Sequence, residues 1–475
     1  MYDLSKIIKQ LKNIMRIDEG LNGDAQRIEQ LGWIIFLKIF SSREEKKALS
    51  DQNYRFILEE KYRYQSLLER PEAGFVEFIN HDLFEYLKNI NDDSYDGKML
   101  KYIFSHIHNY MKNDRLLKRI FVIIFEIDLY STTDRHVLGE IYEIILKYLQ
   151  NAGNAGEFYT PRAVTDFIIK ALAPKKSETI ADLACGTGGF FASYINYLKE
   201  QNPTLEPSTL GNQIFGIEKK SLPNLLCLTN LFLYGINEPQ IMHQNTLETT
   251  YSQHHSLLKF DLIVMNPPYG AKENVEVQNN FPKEYSSSET IDLFMLVMMA
   301  RLKDNGRSII IVPDSFLFNI NYNKQAIKEK LIDEYNLNTI IRLPKTVFNP
   351  YTVIATNILI FEKKKRDTDY VWYYQMTLPN NIKAFTKTKP VYPMYFNDVL
   401  LWLKQKKEIE GVAFKVKIND LKTRKYNLDI SPENNITASS IQNFDDIVKN
   451  FNEGIKKDVD ELTNIFNAIK KILGD

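Results

Sequence analysis

A doubly wound α/β sheet, preceded by an all-helical domain and followed by a long C-terminal helix, is predicted by three patterns in this sequence of 475 residues. Apolar residues recur at helical spacing from the first residues to about 150. Between about 162 and 362, short apolar strands alternate with amphipathic segments, the pattern of a parallel sheet covered on both faces. After 440 a single apolar seam runs toward the end of the chain.

The N-terminal segment places Leu4, Ile7, Ile8, Leu11 and Met15 on one helical period with lysines between them, an amphipathic helix rather than a signal peptide. Ala25–Phe40 and Asp134–Gln150 repeat the pattern, and a loop with two glycines and a proline, NAGNAGEFYTPRAV, closes the region. The runs TIADLA, QIFGI, FDLIVM and RSIIIVP, at 179–184, 213–217, 260–265 and 307–313, read as buried parallel strands. Residues 338–343 and 354–362 follow without room for a helix between them, which predicts an antiparallel hairpin at the sheet edge. The seam comprises Ile441, Phe444, Val448, Phe451, Ile455, Val459, Leu462, Phe466, Ile469 and Leu473. The expected domains are a helical one at 1–150, a catalytic one at 151–400 and a C-terminal docking region at 401–475.

Composition narrows the function. Hydrophobic residues at 44% and charged residues at 25% describe a globular chain, and no apolar run is long enough to span a membrane. Two cysteines and seven histidines, in no metal-ligand spacing, predict a reducing, cytoplasmic setting without disulfides or structural metal. Sixty basic residues balance sixty acidic ones, so a nucleic-acid partner would be gripped partly through another subunit.

Two motifs carry chemistry. ADLACGTGGF, at 181–190, joins a strand to a helix, and its glycines let the backbone turn tightly against a ligand. It has neither dinucleotide GxGxxG spacing nor the lysine of a phosphate loop. Asp182 would repel a pyrophosphate but suits a cation such as the amino group of S-adenosylmethionine. Glu218, ending the next strand, can accept two ribose hydroxyls. The plainer alternative is a tight turn with a surface glutamate.

The second motif, Asn266-Pro267-Pro268-Tyr269, ends the fourth strand at the ligand-binding edge of an α/β sheet. Two prolines stiffen the turn and remove two N–H donors. The Asn266 side-chain oxygen and the Pro267 carbonyl can then hold both hydrogens of one amine, while Tyr269 offers a face for stacking a flipped base. The plainer alternative is a proline-rich strand end.

These motifs, in the order EFYTPR, DLACGTGGF, IEKK, QNTLE and NPPYG, resemble the modification subunit of Type I restriction–modification systems, a class of adenine-N6 DNA methyltransferases. The resemblance extends to DEGLNGDAQRIEQLGWIIFLK upstream and to LPKTVFNPYTVIATNILIFEK and KYNLDI downstream. It implies a Rossmann-like methyltransferase fold using S-adenosylmethionine. Glu157, Phe158, Tyr159, Thr160, Pro161 and Arg162 would then border the cofactor. Asp182 and the loop Gly186, Thr187, Gly188 and Gly189 would hold its amino-acid part, Glu218 its ribose, and Asn245 would lie near its adenine. Asn266, Pro267, Pro268 and Tyr269 would form the target-base site. Cys185 stands where the family often has alanine. The implied partners are double-stranded DNA, a specificity subunit with two copies of this chain, and a restriction or translocase subunit, with no membrane. Thr160 and Pro161 also read as an N-cap and first helical residue.

Rival chemistries fit less well. Cytosine-C5 methylation needs a cysteine nucleophile after a proline, and neither Cys185 nor Cys227 has that context. Cytosine-N4 methylation uses the same amine chemistry, and only the resemblance favours adenine. Protein-glutamine and RNA-guanine methyltransferases share NPPY but not FYTPR or the helical domain. A nuclease pairing of Asp314 with Glu362 and a non-enzymatic DNA scaffold complete the alternatives.

Overall fold

The computed structural model describes residues 4–127 and 160–432, apart from 350, 351, 353, 367, 380, 381 and 387. The expected helices Asp134–Gln150 and 441–473, and the residues Glu157, Phe158 and Tyr159, lie outside the described residues.

The N-terminal helices are Leu4–Ile17 and Asp24–Ser50, followed by shorter ones that include Tyr95–Phe104 and Asp114–Phe125. Asp24–Ser50 is buried on nearly all sides of its central turns, from Ile28 to Ser41. Its aromatic residues Trp33, Phe36 and Phe40 are fully enclosed. One wall of this core comes from a later helix, Ser221–Leu233, through Leu225, Leu226, Leu228 and Phe232. Gly32 permits the approach, because a Cβ there would already touch the Leu225 side chain at 3.4 Å. The helical region and the sheet region therefore share apolar surface, and burial of that surface resists their separation.

Nine strands form one sheet in the order β3-β2-β1-β4-β5-β7-β6-β8-β9. They are β1 Ile180–Asp182, β2 Ile214–Glu218, β3 Gln240–His243, β4 Phe260–Met265, β5 Leu302–Pro313, β6 Asn336–Arg342, β7 Thr356–Glu362, β8 Tyr370–Gln375 and β9 Ala413–Lys417. The first five are mutually parallel, β7 is antiparallel to both its neighbours, and β9 is antiparallel to β8. Successive residues of β5 serve opposite faces: Ile310 and Val312 join one core, Ile309 and Ile311 the other. Helix Thr290–Arg301 covers the first face, and helices Arg162–Leu172 and Gly189–Gln201 cover the second.

The antiparallel pairing of β6 with β7 matches expectation, but its location does not. β7 inserts between β5 and β6, and two further strands continue beyond β6. The physical reason is burial on both faces: Ile340, Ile341, Ile358, Leu359 and Phe361 are all fully enclosed, which an edge strand cannot achieve. Strand β9 carries the sheet to residues 413–417, inside the stretch expected to form the C-terminal region. Ser286 and Glu289, which have the spacing of a capping box, do not form one. The helix begins at Thr290, Ser286 instead donates to the Gln278 carbonyl, and the hydroxyl of Ser287 accepts from the Glu289 N–H at 3.1 Å. The polar stretch before it, 271–288, contains the short helix Val275–Gln278 and a bridge between Lys272 and Glu289.

Candidate active site

Strand order reverses between β1 and β4, and the two motifs leave the carboxyl ends of those neighbouring strands. Such a switch point opens a crevice where α/β sheets bind ligands.

On the β1 side, the loop after Asp182 turns through left-handed Gly186 (φ 52°) and Gly188 (φ 77°) before Gly189 opens the helix Gly189–Gln201. Gly188 is required twice over, since a Cβ there would also meet the Cys227 sulfur at 2.8 Å. Backbone groups fasten the loop to β2: the Cys185 N–H donates to the Ile217 carbonyl at 2.9 Å. The Glu218 carboxylate accepts the Gly186 N–H at 2.9 Å and the Lys220 N–H at 2.8 Å. The Thr187 carbonyl accepts from the Asn230 amide at 3.3 Å. Asp182 accepts the Ala184 N–H at 3.1 Å.

Asp182 and Glu218 are 2% and 7% exposed, so this cradle holds two buried carboxyls. Burial pushes the Asp182 carboxyl up to about 8, against the single hydrogen bond from Ala184, and the nearby Glu218 charge adds to the rise. Burial also raises Glu218, opposed by its backbone hydrogen bonds. Asn245, expected beside a cofactor adenine, is half-buried after β3, where its side chain caps the turn Thr246–Glu248 by accepting the Leu247 N–H at 3.2 Å.

On the β4 side, the Asn266 amide nitrogen donates to the Thr160 hydroxyl at 2.8 Å, and the Tyr269 hydroxyl donates to the Asn266 amide oxygen. The tyrosine ring is half-buried and packs against the core below. Thr160 is not the helix cap: Pro161 occupies that position and its carbonyl accepts the Val164 and Thr165 N–H groups, so the helix begins one residue later than expected, at Arg162. Arg162 donates to the Gly189 carbonyl at 2.8 Å, tying this helix to the glycine loop.

Sequence reasoning missed Asn230, which braces Thr187 from a largely apolar helix. A buried amide in such a helix was the available signal. It also missed Tyr102, whose hydroxyl reaches His243 on β3 from the helical region. The nuclease pairing is excluded by register: Pro313 pairs with Thr356 but Arg307 with Glu362. Asp314 and Glu362 therefore stand at opposite ends of the strands, about 24 Å apart at 3.4 Å per residue. Asp314 instead accepts from Asn357 at 2.7 Å, and Glu362 pairs with Lys364.

The cradle with its two buried carboxyls and the Asn-Pro-Pro-Tyr turn thus stand on either side of one switch-point crevice, the arrangement of an α/β enzyme. The N-6 DNA Methylase family model matches residues 133–443, and the HsdM N-terminal domain model matches 4–124. The chain belongs to the N-6 DNA methylase family, and its activity is adenine-specific DNA methylation. It is 44% identical over 443 residues to the Type I restriction enzyme EcoEI methylase subunit of Escherichia coli, with 90% of each chain covered. A crystal structure from Vibrio vulnificus YJ016, assigned as a modification subunit of a type I restriction enzyme, superposes with a TM-score of 0.80 at 34% identity, covering 91% of this chain and 97% of that one. A chain from a type I restriction–modification system studied for its complex assembly and conformational transition gives 0.80 at 28% identity, covering 98% of both.

Proposed function

We propose that this chain transfers a methyl group from S-adenosylmethionine to N6 of an adenine flipped out of double-stranded DNA, within a complex whose specificity subunit selects the site. The observation that carries this reading is the position of Asn266. Its amide stands at the carboxyl end of β4, hydrogen-bonded to Thr160 in the segment that leads to the glycine loop.

The cradle fits this cofactor: a buried carboxyl raised by desolvation is relieved by a ligand's cationic amino group, and Glu218 retains lone pairs for ribose hydroxyls. In this reading Asp182 takes the amino group and the 186–189 backbone lies against the amino-acid part. Phe158, Tyr159 and Pro161 cover the cofactor, with Glu157, Arg162 and Asn245 at its margins. When bound, S-adenosylmethionine supplies an electrophilic methyl group. Asn266 Oδ1 and the Pro267 carbonyl accept the two hydrogens of the adenine amine and draw its lone pair out of conjugation. Pro268 keeps the turn rigid, and Tyr269 releases Asn266 to stack on the base. The amine loses its proton to solvent after transfer, so alignment and electrostatics, rather than a strong base, lower the barrier.

The division at about 150 belongs to the same proposal, the catalytic domain running on through β9, with the apolar seam from Ile441 to Leu473 docking on a helical specificity subunit that takes two copies of this chain. A restriction or translocase subunit joins the same assembly. Mapping modified bases in host DNA with and without the gene tests the reaction: N6-methyladenine at one sequence context should vanish with the gene. An unchanged map, or loss of N4-methylcytosine instead, overturns it. Deleting residues from Ile441 onward should abolish co-purification with the partner while cofactor binding persists. Normal assembly of the truncated chain would place docking elsewhere.

A further inference from the structure

Asn266 can hold an amine only if its oxygen faces the pocket. A primary amide has an acceptor end and a donor end of nearly equal size, and the torsion that exchanges them is broad and roughly two-fold. With Nδ2 turned inward the same side chain would repel the target amine. The Tyr269 hydroxyl, inside the turn, can bond either end, so the choice also needs a group at the amide's other end.

Thr160 occupies the place from which that choice is made. Its hydroxyl accepts the Asn266 Nδ2–H at 2.8 Å across 106 residues of sequence, and both groups are partly buried. The opposite end of the amide, Oδ1, then faces the Tyr269 hydroxyl, which donates to it. Thr160 itself is held from the cofactor side. It directly precedes Pro161, the cap of helix Arg162–Leu172, and that helix is pinned to the glycine loop by Arg162 on the Gly189 carbonyl at 2.8 Å. A second tie joins Thr165 and Ser193 hydroxyls at 2.8 Å, between this helix and Gly189–Gln201.

We infer that Thr160 is a positioning residue for the methyl transfer: its hydroxyl fixes the Asn266 amide with Oδ1 toward the target amine, while the Tyr269 hydroxyl holds that acceptor until the amine displaces it. This rests on the reaction proposed above and differs from a cofactor-contact role for Thr160. The cofactor-side segment thereby sets the geometry of the target-side acceptor through one hydroxyl.

Thr160→Val keeps the shape and removes the hydroxyl, and Thr160→Ser keeps the hydroxyl. Both are measured in the full complex by single-turnover DNA methylation and by calorimetric titration with S-adenosylmethionine. Thr160→Val should lower the single-turnover rate at saturating cofactor by about 10- to 100-fold, the loss typical of a misplaced reacting group. Its cofactor Kd should stay within about twofold of the parent, and Thr160→Ser should restore most of the rate. Weakened cofactor binding with an unchanged saturated rate would assign Thr160 to the cofactor and overturn the inference. Equal impairment of the Ser and Val variants would overturn it too, as would no impairment of either. Where Thr160→Val does not fold, Thr160→Ala is judged by the same two readings. Failure of the proposed reaction is seen separately, as absence of adenine methylation by the parent complex.

Discussion

The two halves of the crevice are held by different kinds of bond. On the β1–β2 side the fastening groups are mostly backbone: the N–H of Cys185, of Gly186 and of Lys220 reach the Ile217 carbonyl and the Glu218 carboxylate. On the β4 side the fastening is made by side chains: Thr160, Asn266 and Tyr269 form one short chain of hydrogen bonds. Bonds with a backbone partner at one end or both, anchored here on the buried Glu218 carboxylate, keep a cradle in one shape. Side-chain bonds can be exchanged for bonds to an incoming ligand at little cost, because the group released finds water or a new partner. In the proposed reaction the half that would hold the cofactor is preformed, and the half that would admit a flipped base is closed by the Tyr269 hydrogen bond to Asn266, which the base can replace.

Asn266→Ala should show the largest effect. Removing a preorganised acceptor at the reacting centre costs about 10²–10³ in rate, with cofactor affinity nearly unchanged, because nothing in the cradle depends on Asn266. A loss of less than about tenfold, or about 1.4 kcal/mol, would show that the target half does not act through this amide. Glu218→Ala should weaken cofactor binding by roughly 1.5–3 kcal/mol, the range for hydrogen bonds to a charged group, and free the Gly186 N–H. An unchanged titration would move the ribose contact to another residue. Gly188→Ala tests whether the cradle depends on backbone shape alone. Forcing a side chain into φ 77° against the Cys227 sulfur should cost about 1–3 kcal/mol, read as a lower denaturation midpoint. An unaffected midpoint would mean the loop is not held as described.

The smallest effect concerns pH. In the folded chain the Asp182 carboxyl sits at about 8 against an ordinary 3.8, so over that window the folded state keeps a proton that the unfolded state has lost. The stability this contributes is full in acid and is lost as pH rises through 8. Asp182→Asn should therefore flatten the fall in melting temperature between about pH 4 and about pH 8 by a few degrees. Parallel curves for variant and parent would sink the assignment of that slope to Asp182.

Much of the crevice was legible beforehand because its residue types have few other uses. A strand followed by glycines, or by Asn-Pro-Pro-Tyr, narrows backbone geometry locally, and β1, β2, β4 and β5 lie where their apolar runs placed them. The hairpin was legible as a pair but not in its position, since pairing follows from short connection length and position follows from which neighbours bury both faces. Strand β8, YVWYYQ, shows the same limit. Its aromatic residues Trp372, Tyr373 and Tyr374 favour a strand, yet only its parallel register with β6 makes it part of this sheet. The Thr160 misreading has a local cause: threonine before proline suits a cap, but its hydroxyl found the distant Asn266 instead.

The sequence by itself determined the doubly wound class, the two motifs at strand ends and the helical character of the N-terminal region, because each depends on periodicity or on conformational restriction within a few residues. Only the tertiary structure decided that the helix Ser221–Leu233 walls the N-terminal core and that β7 lies inside the sheet. It likewise decided that the Asn266 amide meets a hydroxyl 106 residues away. Those outcomes depend on which surfaces meet after the chain has folded back on itself, and no local spacing encodes a contact between segments so far apart.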